Sequence, residues 1–136
     1  MILHAKQDSI DQTETSASDY IQMIQSKTKN NQSLTLTIFE KLFEELPMQI
    51  EGIHEALDNK HYDVAQEITH KLNGSASFCG LEAIQQAAHA LESSFLNHDY
   101  ANVEQQFIGL KRCTLHLTGL QKIIMDNLAN PVTFRT

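Results

Sequence analysis

Phe39, Leu42, Leu46, Ile50, Ile53 and Leu57 follow one another in steps of three and four, the interval at which side chains line one face of an α-helix. The pattern returns three times. Val64, Ile68, Leu72 and Cys79 carry it in a segment from Tyr62 to Cys79, and Ile84, Ala87, Ala88, Leu91 and Phe95 carry it from Leu81 to Leu96. Val103, Phe107, Leu110, Leu117 and Ile124 carry it in a last helix that Asp99 is placed to cap. Only Asp58-Asn59-Lys60, Gly80 and Asn97-His98-Asp99 separate these segments. Connections this short force neighbouring helices to run antiparallel, so the chain is expected to be all-α, an up-down four-helix bundle.

A short extra N-terminal helix is expected ahead of the bundle, capped by Ser18 or Asp19, running through Tyr20, Ile21, Met23 and Ile24 and ending near Lys29-Asn30-Asn31. Residues 1–17 read as a mobile arm, 18–129 as the helical domain and 130–136 as a frayed tail. Pro47 falls inside the longest segment, from Ser33 to Asn59. It should kink or briefly break the helix there, and the apolar register that continues across it favours the kink. Gly80 is a left-handed stop for the third segment, with Leu81 beyond it to make the accompanying apolar contact.

Composition narrows the functions open to such a bundle. At 136 residues the chain can bury one core without a metal or disulfide. Ten Lys+Arg stand against seventeen Asp+Glu, a formal net charge of −7, which argues against a nucleic-acid partner. No apolar run reaches the length of a membrane span, and Met1-Ile2-Leu3 is followed at once by polar residues rather than by a signal-peptide core. Cys79 and Cys113 fall on apolar faces, where a thiol acts as a small hydrophobe, so the cytoplasm is the expected compartment. An ordinary start at Met1 is what a free-standing protein would show.

His70 stands apart from the apolar stripe of its own helix. At about 100° per residue, Ile68, Leu72 and Cys79 lie about 160° to 200° from it, with Val64 at about 120° and Ala65 at about 220°. Gln66, Glu67, Asn73, Gly74 and Ser77 share its face, so the imidazole should meet water in a polar clearing. Gly74 is unusual in that setting, because a glycine inside a helix costs about 1 kcal/mol against alanine. One turn beyond an exposed histidine, its missing Cβ leaves room for something to approach the ring.

His70, Gly74, Ser75 and Gly80 resemble the signature of histidine-containing phosphotransfer (HPt) domains, roughly H-x-x-K-G-(S/A)-x-x-x-x-G, and the helical spacing from about Leu34 to Ile124 is also similar to theirs. Asn73 departs from the pattern, standing where the family usually has lysine. The resemblance implies a phosphorelay phosphocarrier rather than an enzyme. A receiver domain of a hybrid sensor kinase would give up its phosphoaspartate group to His70, and the receiver of a response regulator would take it on. Mg²⁺ is expected on the partner receiver and no cofactor on this chain, which is expected to be a monomer.

Further roles follow from the resemblance together with the helix face. Lys71, Asn73, Gly74, Ser77 and Gln66 would support the phosphoryl group, Lys71 by swinging its flexible amine round to supply the missing charge. Glu67, Gly74, Ser77 and Phe78 would meet the receiver.

Two other functions fit parts of the sequence. A docking module that binds a receiver or kinase without taking up phosphate would explain Asn73. A di-iron bundle would use Glu51-Gly52-Ile53-His54 and Glu67-Ile68-Thr69-His70, both E-x-x-H, but those pairs do not lie on the apolar faces that a buried metal requires. The other histidines, the Glu44-Glu45 pair and the Glu92-Ser93-Ser94 run read as ordinary surface, the acidic runs as solvated polar faces.

Overall fold

Ser16 opens the first helix with a capping box: its side chain accepts from the Asp19 backbone N–H at 3.1 Å, while the Asp19 carboxylate accepts from the Ser16 backbone N–H at 3.3 Å. The computed structural model describes residues 14–129. Asp19 is thus the third residue of this helix, α1 (Ala17–Thr28), rather than its cap. Lys29, with φ 55°, ends it. The arm expected over residues 1–17 lies mostly, and the tail over 130–136 wholly, outside the described residues.

Asn31 caps α2 (Gln32–Asp58), accepting from the Leu34 N–H at 3.0 Å. The helix runs through Pro47 without a break, with Pro47 on its exposed side. Next come α3 (Tyr62–Cys79) and α4 (Glu82–Leu96). Between them Gly80 takes φ 74°, a conformation natural to glycine, and the Leu81 N–H reaches back to the Ala76 carbonyl at 2.9 Å. Leu81 itself is buried, completing the expected helix stop.

The last segment differs from expectation. Asp99 makes no capping bond to a helix; its carboxylate accepts from Asn102 Nδ2 at 2.9 Å beside a 3₁₀ turn at Tyr100–Asn102. Then α5 (Val103–Thr118) ends at Gly119-Leu120, and α6 (Gln121–Ala129) follows. The apolar register survives the interruption, since Leu117 and Ile124 are both fully buried.

Every element among the described residues is helical. Sequence neighbours pack on each other from α2 to α5, and α5 returns to α2. The core is built from Phe39, Leu46 and Ile53 of α2, Leu72 of α3, Leu91 of α4 and Leu110 of α5, each essentially excluded from water. Each such burial contributes about 1.5–3 kcal/mol. At one end, α1 rests where α2 begins: the Thr28 and Thr35 hydroxyls bond at 2.7 Å, and Gln32 Nε2 donates to the Leu128 carbonyl of α6 at 2.8 Å. No helix among the described residues is long and apolar enough to cross a membrane.

One detail of α3 positions everything that follows. Its buried residues are Ala65, Thr69, Leu72, Ala76 and Cys79, centred about 220° from His70 rather than opposite it. The helix has rolled towards α4, on which it packs more extensively than on α2. Val64, expected on the apolar stripe, is consequently 43% exposed, and Thr69 is buried in its place with its hydroxyl donating to the Ala65 carbonyl at 2.7 Å.

Candidate functional site

The roll of α3 leaves His70 on the crest of the helix, its side chain 70% exposed, with one flank turned to α4 and the other to α2. On the α4 flank, Nδ1 of His70 lies 2.6 Å from Oε2 of Glu92, a carboxylate whose side chain is only 11% exposed. Gln66 Nε2 donates to the same oxygen at 3.3 Å, and Asn73 Nδ2 donates to Oε1 at 3.1 Å. Gln85 Nε2 in turn donates to Asn73 Oδ1 at 3.3 Å. Three side chains of α3, His70, Gln66 and Asn73, therefore converge on one carboxylate of α4, with Gln85 behind Asn73.

Burial of Glu92 works against its charge, but the bond from Asn73, the bond and charge of His70 and the bond from Gln66 outweigh it, holding the carboxyl below its ordinary value. An ionised carboxylate only accepts hydrogen bonds, so Nδ1 of His70 must carry the proton. When the ring is neutral, its lone pair is then on Nε2, which no described residue engages. The pair fixes both the ring's orientation and the nitrogen that carries its free lone pair.

The α2 flank is apolar. A groove of about 540 Å³ runs between α2 and α3, lined by Ile38, Lys41, Leu42, Lys71, Gly74 and Phe78 among others, and a smaller one of about 270 Å³ continues it past Met48 and Ile68. Phe78 is 70% exposed and Met48 67%, large apolar side chains left in water along these grooves. Two glycines separate internal from external demands here. A Cβ on Gly52 would lie 3.0 Å from Ile68 Cδ1, so α2 packs tightly on α3 at that glycine and a larger side chain would displace Ile68. A Cβ on Gly74 would meet nothing within 4 Å, so nothing among the described residues explains it.

The Hpt domain model matches residues 37–123, which takes in α3, α4 and the whole of this network. The chain belongs to the Hpt domain family. No curated protein and no solved structure matched it. Hpt domains are phosphocarriers of phosphorelay signalling and interact with receiver domains.

In this Hpt domain the residues expected to support the phosphoryl group or to meet the receiver fall into two sets. Gln66 and Asn73 turn to the Glu92 carboxylate. Glu67, Lys71, Gly74, Ser77 and Phe78 remain exposed, with Lys71, Gly74 and Phe78 on the groove. Two corrections concern Glu92-Ser93-Ser94, expected as a solvated face. Glu92 is buried against His70, and Ser94 is buried with its hydroxyl on Gln106. Gln85, which bonds Asn73, is a further member that the motif does not mark. A signal existed: Gln85 and Glu92 are seven apart on α4, hence on one edge of its apolar stripe, where they can face Gln66, His70 and Asn73.

The E-x-x-H pairs do not assemble. Glu51, His54, Glu67 and His70 are all exposed, and no group of three or more metal-ligating side chains occurs among the described residues. Burial raises the Cys79 thiol despite the charge of Lys27, as it raises Cys113 despite Arg112, so neither resembles a reactive thiolate.

Proposed function

We propose that this domain accepts a phosphoryl group on Nε2 of His70 from the phosphoaspartate of a receiver domain and passes it to the aspartate of another. The observation that carries this is the His70–Glu92 pair: an exposed imidazole whose Nδ1 is committed to a nearly buried carboxylate. In the transfer the Nε2 lone pair forms the P–N bond while the P–O bond to the donor breaks, its electron pair remaining on the departing carboxylate oxygen. Positive charge develops on the ring with the proton still on Nδ1, and Glu92 stabilises it. Such transfer is mainly positioning and electrostatics, and Mg²⁺ on the receiver would neutralise the phosphoryl oxygens.

Gly74 gives the receiver access to the ring, and Phe78 offers it apolar area. Ser77 and Glu67 complete the contact surface, and Lys71 can bring its amine towards the phosphoryl oxygens. The short turns between α2, α3, α4 and α5 support an antiparallel up-down bundle holding this surface, acting as a cytoplasmic monomer. A docking module that never takes up phosphate is the competing function, and the Glu92 contact favours the carrier because simple docking has no use for a fixed imidazole tautomer.

The test is incubation with a phosphorylated receiver. Acid-labile, base-stable label on the wild type and none on His70→Gln is the expected result. Binding without label would make the domain a docking module.

A further inference from the structure

Asn73 is where this chain departs from the family pattern, and its amide is engaged at both ends. Nδ2 donates to Glu92 Oε1 at 3.1 Å, and Oδ1 accepts from Gln85 Nε2 at 3.3 Å. The Glu92 carboxylate, which only accepts, fixes the orientation of the amide, since the opposite one would set its oxygen against the carboxylate, and Gln85 donates to the amide oxygen that remains. Gln66, the other donor sharing Glu92 with His70, is also a neutral amide. Among the described side chains hydrogen-bonded to Glu92, only the imidazole can hold a positive charge.

We propose that Asn73 is a positioning residue that reserves the charge of Glu92 for the His70 ring, and that a lysine at this position would draw the carboxylate away from it. An ammonium on a four-carbon stem at 73 would replace a neutral bond to Glu92 with a charge-assisted one, roughly twice as strong. The carboxylate would then be shared between two cations instead of facing one. A missing lysine is thus no deficiency here: Asn73, Gln85 and Gln66 form a neutral cradle for the acid that supports the acceptor. The consequence for transfer rests on the phosphotransfer reading above, because it is the ring, made positive as the P–N bond forms, that Glu92 stabilises. The consequence for the resting ring does not.

Two measurements test this separately. Nitrogen-15 NMR of His70 at alkaline pH, where the ring is neutral, reads the tautomer on unphosphorylated protein. The Nδ1–H form should dominate in the wild type, fall clearly in Asn73→Lys, fall less in Gln85→Leu, and persist in Asn73→Gln, which keeps a neutral amide. Labelling by phosphoramidate, a small donor that needs no docking, should slow by roughly two- to tenfold in Asn73→Lys, the span of one hydrogen bond's net worth. An unchanged tautomer population in Asn73→Lys, or labelling as fast as wild type or faster, overturns the proposal. If the wild type takes no label from phosphoramidate or from a receiver, phosphotransfer fails as the function, and the tautomer comparison still decides the role of Asn73.

Discussion

The two flanks of α3 are built from different materials. Towards α4 the surface beside His70 is polar, closed and internally satisfied, with Glu92, Gln66, Asn73 and Gln85 bonding to one another or to the ring. Towards α2 it is apolar and open, with Phe78 and Met48 in water and no described residue within 4 Å of a Cβ placed on Gly74. A closed polar network suits fixing the chemistry of an atom, because satisfied buried groups hold their geometry. An open apolar groove suits binding a partner, because it gains only when something covers it. Reactivity and recognition are therefore expected to come apart under mutation, with Glu92 governing the first and the groove the second.

The largest separation should appear on the groove side. Gly74→Leu puts a side chain into the space beside the ring, and should cut transfer from a phosphorylated receiver by more than about tenfold, the equivalent of roughly 1.4 kcal/mol. Phe78→Ala should act in the same direction. Labelling of both variants by phosphoramidate should stay at the wild-type rate, since the network is untouched. Equal losses with both donors would mean that the flanks are not separable. Gly74→Ala should instead stabilise the helix by up to about 1 kcal/mol in denaturant unfolding, because the added Cβ meets nothing.

Glu92→Gln sharpens the other side. It keeps an acceptor near Nδ1 but removes the charge, and labelling should fall about tenfold with either donor, as expected for replacing a charge-assisted bond by a neutral one. A loss seen with the receiver alone would move Glu92 from reactivity to docking. Gly52 distinguishes internal packing from both. Gly52→Leu should lower unfolding stability by about 1–3 kcal/mol, since even a Cβ there meets Ile68 at 3.0 Å.

The smallest effect is on pH dependence. Glu92 has its folded value depressed below the ordinary one by Asn73, His70 and Gln66 in spite of burial, so its ionised form stabilises the fold. That contribution is fully present above the unfolded carboxyl value, about 4.3, and is lost as pH falls through the folded value. Acid unfolding of Glu92→Gln should therefore be less steep than that of the wild type in this window. Parallel curves would show that Glu92 adds no pH-linked stability.

How much of this was legible depended on which physical rule a residue obeyed. The Gly80-Leu81 stop, the buried stripes and the exposure of His70 follow from local rules of helix ends and periodicity, and the structure shows each of them. Val64 and Glu92 do not follow from local rules. Periodicity places a residue on its own helix but says nothing of how far that helix rolls against its neighbours, and the roll of α3 towards α4 exposed Val64 and brought His70 to Glu92. A buried carboxylate is also the rarer case for any glutamate, so the burial of Glu92 shows only in the juxtaposition of α3 and α4. Gly119 ended α5 without disturbing the apolar spacing, which is why one helix was expected where two occur. Asn73 was visible as a departure, but its meaning lay in Gln85 and Glu92 on another helix.

The central claim is that His70 is the acceptor and that Nε2 is the atom that reacts. Wild-type protein labelled by a phosphorylated receiver, with the site read by phosphorus-nitrogen coupling in NMR, addresses both at once. The account predicts one phosphoryl group per chain, on Nε2 of His70, with the proton retained on Nδ1 beside Glu92. Phosphate on Nδ1, or on any other histidine, would contradict it.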